Sequence, residues 1–396
     1  MGLMGGKARF FNRRLAIAVS LIALSSFNYG FDNQAFATTQ AMDAFDKRFG
    51  EYDPIKKISY LPSTWLALFN SLNYIGFAAG VIIGSFVSAR WGRRTWMFIM
   101  SIYAFGTETI AVTSTNKHHV MAARVLNYTY VGMELAVVPA YQSEIVPAPV
   151  RGFVVGTYQL ALILGGLVIN CVSLGTSTLS GDESWRIPLG LFYIIPAIIS
   201  TCIWFLPESP RWLLSKGRVD EARASLAQYR NGSFTEEEID KEFQETQFQL
   251  ERTFLVVGIN FFQQAAGQQF ASQYGGIYVK QLGTINPFIF TLLVAVVNAT
   301  AIAISLMSND RIGRRKPLLL SAVIICTALM IIGGLRTQDV VSKSTKIAIV
   351  SMLCFITFGF SIGLAPLTYV VATEIPALGL RDATLRLGFC VNVPFK

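Results

Sequence analysis

Arg90-Trp91-Gly92-Arg93-Arg94 is a short basic island between two apolar stretches, 64–88 and 95–114. About 20 apolar residues at a rise of 1.5 Å cross a hydrocarbon layer of roughly 30 Å, so each flanking stretch is long enough to span a bilayer. The island then reads as a tight turn at one membrane face. Outward from it the alternation continues, with apolar segments at about 15–35, 119–140, 152–174, 187–206, 254–281, 288–308, 316–336 and 346–371, and the start of another near Leu385. Composition agrees: 53% of the 396 residues are hydrophobic and 14% charged, against roughly 25% charged in a soluble domain. The chain reads as all-α, a polytopic membrane helical bundle with ten full spans and the beginning of an eleventh. A soluble globular enzyme is excluded.

The island has a twin. Asp310-Arg311-Ile312-Gly313-Arg314-Arg315-Lys316 follows the eighth apolar segment as the first island follows the second. Glu144-Ile145-Val146-Pro147 with Arg151 follows the fourth segment, and Glu374-Ile375-Pro376 with Arg381 follows the tenth; in both, Glu and Arg are seven apart. Matching motifs at matching places imply duplication of a six-helix unit, a device many transporters use. Between the units, Pro207 to Arg252 is a 46-residue stretch holding 17 of the 57 charged residues. The expected organisation is an N-terminal half over 1–206, a polar linker with short amphipathic helices over 207–252, and a C-terminal half over 253–396. One set of alternate loops, including the N-terminus and this linker, holds about twice as many Lys and Arg as the other, which predicts that it faces the cytoplasm.

The net charge of +9 is explained by these loops, without nucleic acid as a partner. Cys171, Cys202, Cys326, Cys354 and Cys390 lie in or beside apolar segments, with neither disulfide nor metal spacing. His118 and His119 share a short loop and are not expected to hold metal. Lys7 to Leu24 mimics a signal peptide but reads as a retained first helix, and Gly6 stands where a myristoylation signal wants Ser or Thr. Asn-x-Ser/Thr matches at Asn127, Asn231 and Asn298 fall in spans or in the linker and are not expected to be glycosylated.

The two Gly-Arg-Arg islands, Pro207-Glu208-Ser209-Pro210-Arg211-Trp212-Leu213 after the sixth segment and Gln263-Gln264-Ala265-Ala266-Gly267 in the seventh together resemble the major facilitator superfamily and, within it, the sugar porter family. That resemblance implies a 6+6 bundle alternating access around a central sugar site, often with proton symport. Ala89 departs from it, standing where the family carries an Asp, and Gln269 stands for the usual Asn. The family has twelve spans. A chain stopping at Lys396, early in the eleventh, is expected to be a truncated product with poor stability and little transport of its own.

Asp32 ends the first apolar segment and Arg124 sits inside the fourth. A lone charge in a bilayer costs at least a few kcal/mol, so such residues face a cavity and find a partner. The resemblance makes Asp32 a proton-binding carboxylate and Arg124 its partner, whose departure on rocking would switch proton affinity. Sugar recognition needs donor–acceptor side chains and an aromatic surface. The resemblance places Gln159, Gln263, Gln264, Gln269 and Asn298 at the sugar, with Tyr369 at the family's usual Trp position and Tyr274 as a gate. It also implies a cytoplasmic gating network of Arg93, Arg94, Glu144, Arg151, Glu208, Arg211, Arg314, Arg315, Glu374 and Arg381. Glu134 could join that network, and Glu108 could snorkel outward; both read as structural. The expected activity is secondary transport of a sugar across the plasma membrane, by a monomer with no cofactor beyond the proton. A sugar sensor and a carrier of an organic acid such as quinate are the alternatives. The chain has no Gly-x-Ser-x-Gly elbow and no His-Glu-x-x-His, and so nothing that reads as an enzyme.

Overall fold

The computed structural model describes residues 12–55, 57–230, 234, 263, 275–282, 286–313, 315–336 and 343–374. Among these it is helical apart from one two-stranded hairpin, β1 (Glu51–Asp53) against β2 (Ile58–Tyr60). The helices are α1 (Arg13–Thr39), α2 (Asp43–Phe49), α3 (Ser63–Ser71), α4 (Asn73–Trp91), α5 (Arg93–Val112), α6 (Lys117–Ile145), α7 (Ala148–Thr176), α8 (Glu183–Gly190), α9 (Ile194–Cys202), α10 (Pro210–Ser215) and α11 (Val219–Arg230). They continue with α12 (Gly275–Leu282), α13 (Pro287–Ile312), α14 (Arg315–Arg336), α15 (Lys343–Ile362) and α16 (Leu364–Glu374).

Local sequence explains where the helices begin. The Asn12 Oδ1 accepts from the Leu15 amide at 2.7 Å, and the Asn116 Oδ1 from that of His119 at 2.9 Å, so α1 and α6 are capped by their own leading side chains. Prolines open α7 and α10, where no backbone donor is needed. Gly363, between α15 and α16, lies so close to α14 that a methyl group there would fall 2.4 Å from the Pro317 carbonyl oxygen.

Eight helical segments among the described residues are long and apolar enough to cross a membrane. The 29-residue α6 is long enough but too polar to count among them, and most of the seventh apolar segment lies outside the described residues. Those polar residues of α6 are not exposed: Asn127, Glu134, Gln142 and Glu144 are all buried, because α6 runs through the middle of the N-terminal half. It packs on α4 through Gly76, Gly80 and Gly84, spaced four apart. A large core joins α1, α4, α5, α6 and α7, while a smaller one joins α12–α15. Large apolar side chains such as Phe205 and Met330 point outward, 86% and 81% exposed, as a lipid-facing surface requires.

Candidate functional site

Two buried polar clusters, the second shared with the C-terminal half, and one network at the helix ends are built on the N-terminal half. At one end of the bundle Asp32 (α1) and Arg124 (α6) approach to 3.9 Å, and both side chains are at most 4% exposed. The guanidinium carbon also lies 3.8 Å from the ring centre of Phe36 and 4.6 Å from that of Tyr128, a cation–π sandwich in a dry setting. The Nδ2 of Asn127 donates to Asp32 Oδ1 at 3.0 Å and to Glu108 Oε2 at 3.1 Å, while its Oδ1 accepts from the Thr107 hydroxyl at 2.7 Å. Glu108 is therefore fully buried on α5 rather than snorkelling outward: an amide one turn from Arg124 gives it a partner inside the bundle. Asn127, which the sequence offers only as the start of an Asn-x-Thr triplet, is the hinge of the cluster. A cavity of about 20 Å³ beside Asp32 and Arg124 has room for about one water.

The second cluster spans the two halves. Tyr158 (α7) donates its hydroxyl to Glu134 Oε2 (α6) at 2.8 Å, and its ring packs at 4.7 Å on that of Tyr369 (α16). Gln263 is hydrogen-bonded to Tyr369. Glu134 thus belongs to the interior and does not join the network at the helix ends. Gln159, the residue after Tyr158, is also buried. Asn298 (α13) accepts from the Ser361 hydroxyl at 2.7 Å and lines a cleft of about 60 Å³ between α1, α7 and α13. Asn33, Gln34 and Asn170 line the same cleft, and no sequence motif singled them out. Amides inside apolar spans are the signal that would have found them. The cleft is far smaller than the 300–1,000 Å³ of an open ligand pocket, so the two halves are nearly closed on each other here. Gln264, Gln269 and Tyr274 lie outside the described residues.

At the opposite end from Asp32, where α1 begins, the Arg93 guanidinium grips Glu144 through two bonds of 3.2 and 3.1 Å, and the Ser209 hydroxyl adds a third contact to that carboxylate. Glu208 caps the N-terminus of α5: its Oε1 accepts from the Arg93 amide at 2.9 Å, and both of its oxygens accept from that of Arg94 at 3.2 Å. Burial raises the Glu208 pKa, and these amide bonds, with the nearby Arg93 charge, pull it back. Arg94 reaches the Leu206 carbonyl at 3.2 Å and lies over Trp204. The Trp212 indole donates to the carbonyl of Ala89 at 2.9 Å, so the position lacking a carboxylate is joined through its backbone. Tyr141 and Tyr229 both bond the Pro207 carbonyl at 2.7 Å, and Arg230 bonds that of Ile145. The start of the linker is tied to the N-terminal half. Arg151 is buried, Arg211 half-buried and Arg315 exposed; Glu374 ends α16, and Arg314 and Arg381 lie outside the described residues. At the Asp32 end, Lys280 (α12) bridges to α2, 3.6 Å from both Asp43 and Asp46.

Residues 18–396 match the family model described as Sugar (and other) transporter. The chain belongs to the sugar (and other) transporter family. It is 28% identical to Hexose transporter 2 of Kluyveromyces lactis, over 96% of this chain and 72% of that protein. It is 29% identical to the high glucose sensor RGT2 of Saccharomyces cerevisiae, over 82% of this chain and 46% of that one. Its fold matches that of the proton:xylose symporter XylE bound to 6-bromo-6-deoxy-D-glucose, with a TM-score of 0.81 at 20% identity, covering 96% of this chain and 86% of that one. This sugar transporter family member is therefore an integral membrane protein with the major facilitator fold, in a family of carriers rather than enzymes.

Proposed function

We infer that this family member carries an uncharged sugar across the plasma membrane by alternating access, coupled to a proton that binds at Asp32, with the N-terminus and the Arg93–Glu144 end facing the cytoplasm. The observation that carries the reading is the buried Asp32–Arg124 pair with Asn127 and Glu108. Two carboxylates share one guanidinium, so the cluster balances its charge when it holds one proton. Moving Arg124 away as the halves rock would favour a proton on Asp32, and its return would expel it.

The rest of the interior supports a neutral substrate. Amides from both halves, Asn33, Gln34 and Asn170 on one side and Asn298 on the other, converge on the cleft, with Gln159, Gln263 and Tyr369 in the adjoining interior. Amides both donate and accept, which suits hydroxyls. An organic acid would want a cation of its own, and Arg124 is already engaged by Asp32. The gating role falls to Arg93, Arg94, Glu144 and Glu208, whose contacts brace the N-terminal half when the cytoplasmic side is shut.

In vesicles, Asp32→Asn is expected to keep exchange of labelled sugar and to lower the uphill accumulation driven by a pH gradient by about tenfold per pH unit. Unchanged accumulation in the variant would sink proton coupling at Asp32. The likeness to a glucose sensor supplies the second reading, binding without transfer: saturable sugar binding with no exchange by the native protein would favour it.

A further inference from the structure

Glu134 is a buried carboxylate that the transport reading leaves unused. It lies on α6 ten residues beyond Arg124, about 15 Å along the helix axis at 1.5 Å per residue, and is 0% exposed. Tyr158 donates to its Oε2, and its Oε1 has no hydrogen-bond partner among the described residues. The groups that face it are Ser26 and Tyr29 from α1, Tyr130 from its own helix, Tyr158 from α7 and Tyr369 from α16. None of these is a cation, and the 254–274 part of the apolar segment that carries Gln263 contains no charged residue, its one lysine, Lys280, bridging to Asp43 and Asp46 instead. An ionised carboxylate sealed in this setting has the hydroxyls of Tyr158 and Ser26 beside it but no cation among these groups to offset the loss of water. A neutral acid is satisfied there, its carbonyl oxygen accepting from Tyr158.

The same residue sits at a joint. Tyr158 touches Glu134 with its hydroxyl and Tyr369, in the C-terminal half, with its ring. Parting the halves at this contact uncovers Glu134, and closing them covers it again. Asn28, whose Nδ2 donates to the Tyr130 hydroxyl at 3.3 Å, and Ser25 lie along the same α1–α6 seam between Asp32 and Glu134, all of them buried.

We propose that Glu134 is a second proton-binding site of the transport cycle, loaded while Tyr158 and Tyr369 close over it and emptied when the halves part. Loading takes one proton from water as the contact closes and makes the carboxylate neutral; release returns that proton to water when the contact parts and leaves the ion hydrated, with no electrons moved. The proposal rests on the transport reading above but uses a different carboxylate, so the two fail separately.

The test compares Glu134→Gln, which keeps the acceptor for Tyr158 and mimics the neutral acid, with Asp32→Asn in proteoliposomes. One coupled proton supports about a tenfold sugar gradient per pH unit. Glu134→Gln is expected to keep sugar exchange and to lower the steady accumulation about tenfold at a one-unit gradient. An unchanged proton-to-sugar ratio would overturn the proposal. Infrared difference spectra of the purified protein supply a readout independent of flux: a protonated-carboxyl carbonyl band at neutral pH should vanish in Glu134→Gln, survive in Asp32→Asn and move in Tyr158→Phe. A spectrum in which Glu134→Gln removes no such band also overturns it. Absence of sugar exchange by the native protein, with the band present, would instead fault the transport reading.

Discussion

Gly92 shows how much one residue can carry. Its φ of +97° is open to glycine and strained for other residues, and a methyl group there would fall 2.3 Å from Glu208 Oε2. Gly92→Ala is expected to destabilise the folded protein by about 1–3 kcal/mol from backbone strain alone, since its ψ of 165° puts it in a region open essentially to glycine, with a further loss if the Glu208 cap is displaced. A fall in the melting temperature of the detergent-purified variant, and a smaller fall for Glu208→Gln, checks this. Sequence made Gly92 and Glu208 visible as members of two motifs far apart along the chain, yet nothing in either motif says that one seats the other. Glu108 and Asn127 were harder still. A lone Glu in an apolar stretch reads as a surface exception until the partner amide is placed beside it, and that placement is tertiary.

At the scale of elements, α6 explains why hydropathy undercounts. A helix enclosed by other helices can be polar wherever its polar groups meet each other, so its average hydropathy falls below that of its lipid-facing neighbours. The stripe Gly76, Gly80, Gly84 on α4 is legible in the sequence once a partner is known; a methyl group at Gly80 would lie 2.0 Å from the Thr129 carbonyl oxygen, and the close approach follows. The join between α12 and α2 is different in kind. Burial raises the Asp46 pKa above that of a free aspartate, and Lys280 pulls it part of the way back. The contribution of Asp46 to stability is therefore present below its unfolded pKa and lost as pH rises through the higher folded one, where Lys280 limits the loss. Lys280→Gln is expected to lower stability at neutral pH by a few tenths to about 1 kcal/mol, since Lys280 is 44% exposed, and the gap from the native protein should close as pH falls through the folded range. Melting curves of both proteins across pH test the sign.

Over the whole molecule, the repeat in the sequence told of two halves, while the way they meet came only from the structure. Asn170 reaches the Thr291 carbonyl at 3.4 Å, and Gly156 lies against Leu306 so closely that a methyl group there would fall 2.3 Å from that side chain. These contacts join α7 to α13, and alternating access requires them to slide or part. With the native cysteines replaced, a short bifunctional link between Gly156→Cys and Leu306→Cys should abolish sugar exchange, and cutting the link should restore it. Full exchange in the linked protein would mean that the halves do not separate along this seam. The residues proposed for gating follow the same division: Arg93, Arg94, Glu144 and Glu208 lie in one described network, whereas the twin motif shares too few described residues to compare.

The axial spacing along α6 has an electrical meaning. Arg124 and Glu134 stand about 15 Å apart along the helix, roughly half of a hydrocarbon layer of about 30 Å. A charge moved between those two levels crosses about half of the membrane field, worth about 1 kcal/mol for each 100 mV. Occupancy of the deeper carboxylate would then follow membrane voltage as well as pH, and the resting potential of the cell would act on the equilibrium between its charged and neutral forms before any sugar is bound.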